Sequence, residues 1–138
     1  IYGGSANSIP GEYRVIKMVF CVRKLASVSS EDFSDYWLNQ HGPLVQSKAE
    51  ALCIRRYVQS HTKHPEFGQA MAAERGMKVP GYDGIAELWW DDIETLQGVL
   101  STEEGLAASM FLAEDEAHFI DAESSTIFFT EEHVVIDS

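Results

Sequence analysis

Along the chain, apolar residues recur first with a period of two, then with a period near 3.6, and the switches between them mark out the elements. Tyr13 to Arg23 (YRVIKMVFCVR) is a β-branched and aromatic run of strand length. Beyond it, Phe33, Tyr36, Trp37, Gln40, His41 and Leu44 are spaced by three and four residues and so share one face of a helix. Ser29 and Asp32 have the S-x-x-D spacing that opens such a helix. Pro43 has no N–H for the carbonyl of Asn39, so the helix is predicted to kink or stop at Gly42. Pro43 then serves as the first residue of a second segment running to about Leu52.

Ile54 to Thr62 reads as the second strand. The period is lost between Lys63 and Tyr82, which reads as an insertion with one helical piece over Glu66–Arg75, opened by Pro65 and closed by Gly76. Gly84 to Trp90 is a third strand, and Asp91 or Asp92 caps a helix carrying Ile93, Leu96, Gln97 and Leu100. Ser101 and Glu104 repeat the capping spacing, and the helix they open is predicted to turn Leu106, Met110 and Phe111 inward. After a turn through His118–Asp121, Thr126 to Ile136 is the last strand.

This order predicts an α+β fold, a ferredoxin-like βαββαβ unit with an antiparallel sheet. Residues 1–12 read as a flexible lead-in lacking the basic start and apolar centre of a signal peptide, and 13–138 as a single domain with the insertion at about 63–82. Helices in this plan cover one sheet face, yet the strands place apolar residues on both. Val15, Val19 and Cys21 oppose Ile16, Met18, Phe20 and Val22, Trp89 opposes Trp90, and Phe128 opposes Phe129. An uncovered apolar face is rare in monomers, so the chain is expected to form a homodimer that closes two sheets into a barrel.

Strand parity then assigns the second face. With Val58 taken as helix-facing, Tyr57, Gln59 and His61 go to the second face; with Ala86 and Leu88 helix-facing, so do Ile85, Glu87 and Trp89. In the last strand Ile127, Phe129, Glu131 and His133 share one side. If that side joins the others, the pocket is aromatic, with Tyr57, Gln59, His61, Glu87 and His133 as its polar groups, which suits a hydrophobic cyclic small molecule. Glu87 could instead pair with Arg55 or Arg56 and be structural, since a buried carboxylate is costly alone.

Composition narrows the classes. The chain has 138 residues, 45% of them apolar, enough for one domain with a real core. Its formal net charge of −12 argues against nucleic acid and anionic membrane surfaces. Cys21 and Cys53 stand in no metal or redox spacing and read as free thiols of a reducing, cytoplasmic compartment. No apolar run is long enough to span a bilayer. The chain has no G-x-S-x-G, Walker or G-x-G-x-x-G motif, and His41, His61 and His133 lack metal-ligand spacing, so no metal and no cofactor is predicted.

Tyr36-Trp37-x-x-x-His41-Gly42-Pro43-Leu44, Arg56 to His61, Asp83 to Trp89, Phe119-Ile120-Asp121 and Glu131 to Val135 together resemble the EthD-like family over about Val15 to Ile136. The resemblance implies the dimeric α+β barrel. Its wider relatives are cofactor-free cyclases, isomerases, decarboxylases and small monooxygenases, together with accessory proteins of an ether-degrading system. The leading expectation is a cofactor-independent isomerase, cyclase or lyase acting on a cyclic, aromatic or polyketide-like carbonyl compound. His41 or His133 would move the proton and Tyr57 or His61 would donate to the enolate oxygen, while Trp37, Gln59, Glu87, Trp89 and Phe129 bind substrate. A non-catalytic accessory protein and a cofactor-free monooxygenase on phenols are the alternatives. A structural His41 bonded to a backbone carbonyl is the competing reading of the helix break.

Overall fold

The structure, a computed structural model, describes residues 14–138; the lead-in at 1–12 lies outside them. Four strands, β1 (Ile16–Val22), β2 (Arg56–His61), β3 (Gly84–Trp90) and β4 (Thr126–Thr130), form one sheet in the order β2-β3-β1-β4. Every neighbouring pair is antiparallel. The helices are α1 (Ser30–Tyr36), α2 (Gly42–Lys48), α3 (Pro65–Glu74), α4 (Ile93–Leu100) and α5 (Glu103–Glu116). This is the ferredoxin-like α+β fold.

Ser29 caps α1, its hydroxyl accepting from the Asp32 amide at 3.0 Å. The helix does not stop at Gly42. A single π turn, Trp37–His41, joins α1 to α2, and the Gly42 N–H donates to the Trp37 carbonyl five residues back. The extra residue in that turn absorbs the register that Pro43 would break, and Pro43 sits in the first turn of α2 where its missing N–H costs nothing. Trp37 packs closely over the sheet at Gly84. A Cβ there would come within 2.6 Å of the indole and of the Ser60 carbonyl.

Asp92, not Asp91, caps α4 by accepting from Thr95 N. The cap of α5 is Thr102, accepting from Gly105 N, rather than Ser101. Leu106, Met110 and Phe111 are exposed, and the inner face of α5 carries Gly105, Ala108 and Leu112 instead. The physical reason is close approach: a Cβ on Gly105 would fall within 2 Å of the Val99 carbonyl, 1.9 Å away. Small residues let α5 pack tightly, and the larger side chains turn outward.

The core lies between these helices and one sheet face, joining Val22, Ala86, Leu88 and Trp90 to Phe33, Trp37, Leu96, Phe119 and Ile120. Register overturns the parity taken for β2. Tyr57 pairs with Leu88, Gln59 with Ala86 and His61 with Gly84, so all three lie on the helix side, and Val58, opposite Glu87, lies on the other. Ile127 and Phe129, opposite Phe20 and Met18, are also on the helix side. The other face is mixed rather than apolar. Val19, Val58, Ile85, Trp89 and Phe128 surround a Lys17–Glu87 ion pair of 2.7 Å.

The insertion holds α3, none of whose residues is buried. β4 ends at Thr130, short of the expected Ile136, because the last residue of β1 to pair with it, Lys17, is already matched to Thr130.

Candidate functional site

An apolar cavity of about 260 Å3 lies inside the protomer, between the sheet and α2, α4 and α5, not between two sheets as strand parity had suggested. Trp37, Leu88, Trp90, Leu112 and Phe129 are among its walls, and its polar groups are His41, Tyr57, Ser109 and Glu116. Leu100, Ile127 and Phe129 both line it and are exposed, so its mouth lies between α4 and the β4 edge.

His41 is 3% exposed and comes from the last position of the π turn. Its Nδ1 lies 2.7 Å from Asp115 Oδ2, and its Nε2 lies 3.8 Å from Glu116 Oε2. The partner is thus a carboxylate, not the backbone carbonyl of the structural reading. Tyr36 donates its hydroxyl to the other Asp115 oxygen at 2.7 Å. Burial opposes the charge of Asp115, but the hydrogen bonds from Tyr36 and His41, with the charges of His41 and His118, outweigh it and hold the carboxyl below its ordinary value. An ionised Asp115 can only accept, so His41 donates to it from Nδ1, and Nε2 is turned to the cavity side.

Glu116 has the opposite environment. Burial, then the charge of the adjacent Asp115, pushes its carboxyl up to about 7. The pKa values of two neighbouring acids on one helix are therefore driven in opposite directions.

A second network runs along β2. Gln59 Nε2 donates to the Trp37 carbonyl and to the Tyr57 hydroxyl, each at 2.8 Å. A carbonyl only accepts, so the Trp37 oxygen decides which way the amide points and turns Gln59 Oε1 toward His61 Nε2, 2.8 Å away. His61 must therefore carry its proton on Nε2, and its Nδ1 accepts from the Ser34 hydroxyl. Burial lowers the His61 pKa, favouring this neutral ring. Tyr57, already an acceptor from Gln59, keeps its own proton for the cavity it lines. Burial pushes that phenol up to about 12, against the pull of the Gln59 bond, so it stays a donor at all ordinary pH.

Of the residues singled out from sequence, the structure brings His41, Tyr57, Trp37 and Phe129 to the cavity wall, with Gln59 and His61 behind Tyr57. Glu87 and Trp89 lie on the opposite sheet face. Glu87 pairs with Lys17 at 2.7 Å rather than with Arg55 or Arg56, and Trp89 donates to Glu132 at 2.8 Å. Arg56 stacks over Trp89 and Arg55 faces Asp91. His133 follows β4, exposed and 2.9 Å from Glu131, because the strand ends before it. Asp115 and Glu116 were missed. Their signal was an acidic pair falling between Leu112 and Phe119, on the inward stripe of an otherwise acidic helix. Among the described residues no cluster of three potential metal ligands forms, and no helix is long and apolar enough to cross a membrane.

Comparison with known proteins follows the fold. The family model of the EthD domain matches residues 25–123. No curated protein matches the sequence. An ethyl tert-butyl ether degradation (EthD) family protein from Bacillus halodurans superposes with a TM-score of 0.55 at 20% identity, covering 86% of this chain and 99% of that one. A hydroxynitrile lyase from Passiflora edulis does so with a TM-score of 0.57 at 6% identity, covering 91% and 99%. A dimeric ferredoxin-like protein of unknown function from Bacteroides fragilis has a TM-score of 0.54 at 12% identity, covering 86% and 96%. At these identities the likeness is one of fold.

Proposed function

We propose that this chain, which belongs to the EthD domain family, encloses a small cyclic carbonyl compound and shifts its protons, with His41 as the base. The observation that carries this reading is the His41–Asp115 pair of 2.7 Å, which fixes Nδ1 on the carboxylate and presents Nε2 at the wall of an apolar cavity. A histidine oriented by a carboxylate, next to bound substrate and away from bulk water, is the usual arrangement for proton abstraction.

The steps need only groups present in the chain. Nε2 takes a proton from the carbon beside the carbonyl, the C–H electron pair becomes a C=C bond, and the carbonyl π pair moves to oxygen. The Tyr57 hydroxyl donates a hydrogen bond to that oxygen as its charge grows. Return of the proton to a different carbon completes an isomerisation. Expulsion of a β-substituent, which leaves with the proton from His41, completes a lyase reaction. Attack of the enolate carbon on a second carbonyl of the same molecule, whose π pair moves to oxygen and takes that proton, completes a cyclisation. The chemistry is cofactor-independent in this form.

Size limits the substrate. An apolar cavity of about 150 Å3 takes a benzene ring, so one of about 260 Å3 suits one ring with substituents or two small fused rings. A multi-ring polyketide exceeds it. The protein is proposed to work as a homodimer through the sheet face bearing Val19, Val58, Ile85, Trp89 and Phe128, in keeping with dimeric proteins of the same fold.

The test is exchange of α-protons for deuterium in small cyclic ketones, followed by NMR. His41→Ala is expected to slow exchange by about 10²–10⁴-fold with the far-UV spectrum unchanged. Ketones that bind but exchange no faster with the protein than without it would make the protein an accessory binder.

A further inference from the structure

The acid–base reading leaves one titratable cavity group without a task. Glu116 faces His41 Nε2 from α5, and among the described residues its carboxyl has no hydrogen-bond donor. Its neighbour Asp115 is committed to His41 and Tyr36. A carboxyl in an apolar cavity with no lysine or arginine beside it is costly when ionised. The titratable groups that face it are His41 from the π turn, Tyr57 from β2 and Asp115 on its own helix. The lining residues include no lysine or arginine.

We propose that Glu116 is the proton donor of this site, working opposite His41 on an uncharged ring ketone. This rests on the acid–base reading and deepens it. The geometry supplies both halves of a tautomerisation. His41 Nε2 accepts the α-proton, and the protonated Glu116 carboxyl gives its proton to the carbonyl oxygen, so an enol forms rather than an enolate. The bond electrons balance: the C–H pair becomes the C=C bond, the C=O π pair becomes the new O–H bond, and the Glu116 O–H pair stays on the carboxylate. The step leaves imidazolium and carboxylate 3.8 Å apart, where each stabilises the other. Reversal with proton delivery at another carbon regenerates both groups, with no outside reactant.

The same arrangement selects the ligand. With a carboxyl raised to about 7, a phenol of high pKa and no lysine or arginine in the lining, the cavity offers hydrogen bonds but no fixed positive charge. Rings bearing a carboxylate are disfavoured by desolvation and by Asp115 nearby. The proton on Glu116 is present below about pH 7 and lost above it, so donor function falls as pH rises through that value.

The experiment follows α-hydrogen exchange of 2-tetralone in D2O by NMR from pH 5 to 9, with quenching of tryptophan fluorescence, from Trp37 and Trp90 in the wall, reporting binding. In the wild-type protein, exchange is expected to decline above about pH 7. Glu116→Gln, close in shape, is expected to bind the probe, exchange it about 10²–10⁴-fold more slowly and lose the alkaline decline. Wild-type rates and profile in Glu116→Gln would overturn the donor assignment while leaving His41 as base. A limb that rises through the same pH and vanishes in Glu116→Gln would make Glu116 a base instead, also overturning it. A bound probe with no exchange in the wild-type protein, or exchange unaltered by His41→Ala, would overturn the acid–base reading itself. Failure of the probe to bind would overturn the ligand class.

Discussion

His41 Nδ1 and Asp115 Oδ2 lie 2.7 Å apart although 74 residues separate them in the chain. The π turn ending at His41 and the last turn of α5 bring them together, and Tyr36, one helical turn before His41, secures the same carboxylate from its other oxygen. Asp115→Asn retains the shape but can donate as well as accept, so the Nε2–H tautomer becomes available and the base is lost. Exchange activity is expected to fall about 10²–10⁴-fold, measured beside an unchanged circular dichroism spectrum. Asp115→Ala strands the buried His41 N–H and the half-buried Tyr36 hydroxyl and is expected to cost about 1–3 kcal/mol by urea unfolding.

Glu116 makes a separate prediction about stability. Its carboxyl ordinarily titrates near 4.5 and in the fold near 7. A group with a raised folded pKa contributes stability that is complete below the unfolded value and lost as pH rises through the folded one. Between pH 4.5 and pH 7 the protein should therefore lose up to about 3 kcal/mol through this group. Glu116→Gln is expected to stabilise the protein at pH 8 and to change little at pH 4.5. Equal effects at both values would show that burial does not hold the carboxyl neutral.

Gln59 tests the second network. Gln59→Met keeps the volume and removes the donors to the Trp37 carbonyl and Tyr57. The expected loss is about 1–3 kcal/mol, with weaker binding of ring ketones as the Tyr57 hydroxyl loses its orientation. Denaturant unfolding and fluorescence titration separate the two effects.

Gly84→Ala puts a methyl group within 2.6 Å of the Trp37 ring and the Ser60 carbonyl. The overpacking is expected to cost about 1–3 kcal/mol and to push Trp37 into the cavity it lines. Thermal unfolding gives the first number, and probe affinity the second.

The open sheet face tests the dimer. Phe128→Arg places a charge beside Val19 on that face, on the opposite side of the sheet from the cavity. Sedimentation at micromolar concentration should show a dimer for the wild-type chain and a monomer for the variant. A wild-type monomer would remove the interface.

Much of the fold was legible. Strand β3 runs over the expected residues, Ser29 caps α1 as its spacing required, and Asp92 was one of two named caps. These are local signals, set by side chains within four residues of the backbone groups they serve. The inward face of α5 was not legible, because Leu106, Met110 and Phe111 look like a core stripe until the Gly105–Val99 contact shows which side is close-packed. Nor was the parity of β2, where apolar Val58 sits between Tyr57 and Gln59, and only pairing with Leu88 and Ala86 decides which of them meets the helices.

By itself the sequence determined the order of elements, the fold class and the place of the helix irregularity that ends at His41. Each depends on periodicity, capping and the missing N–H of Pro43, all properties of neighbouring residues. Only the tertiary structure decided that His41 faces Asp115 and Glu116, that the cavity lies within the protomer, and that one of two adjacent carboxyls has its pKa lowered while the other's is raised to about 7. Those outcomes depend on burial and on distances between segments far apart in the chain.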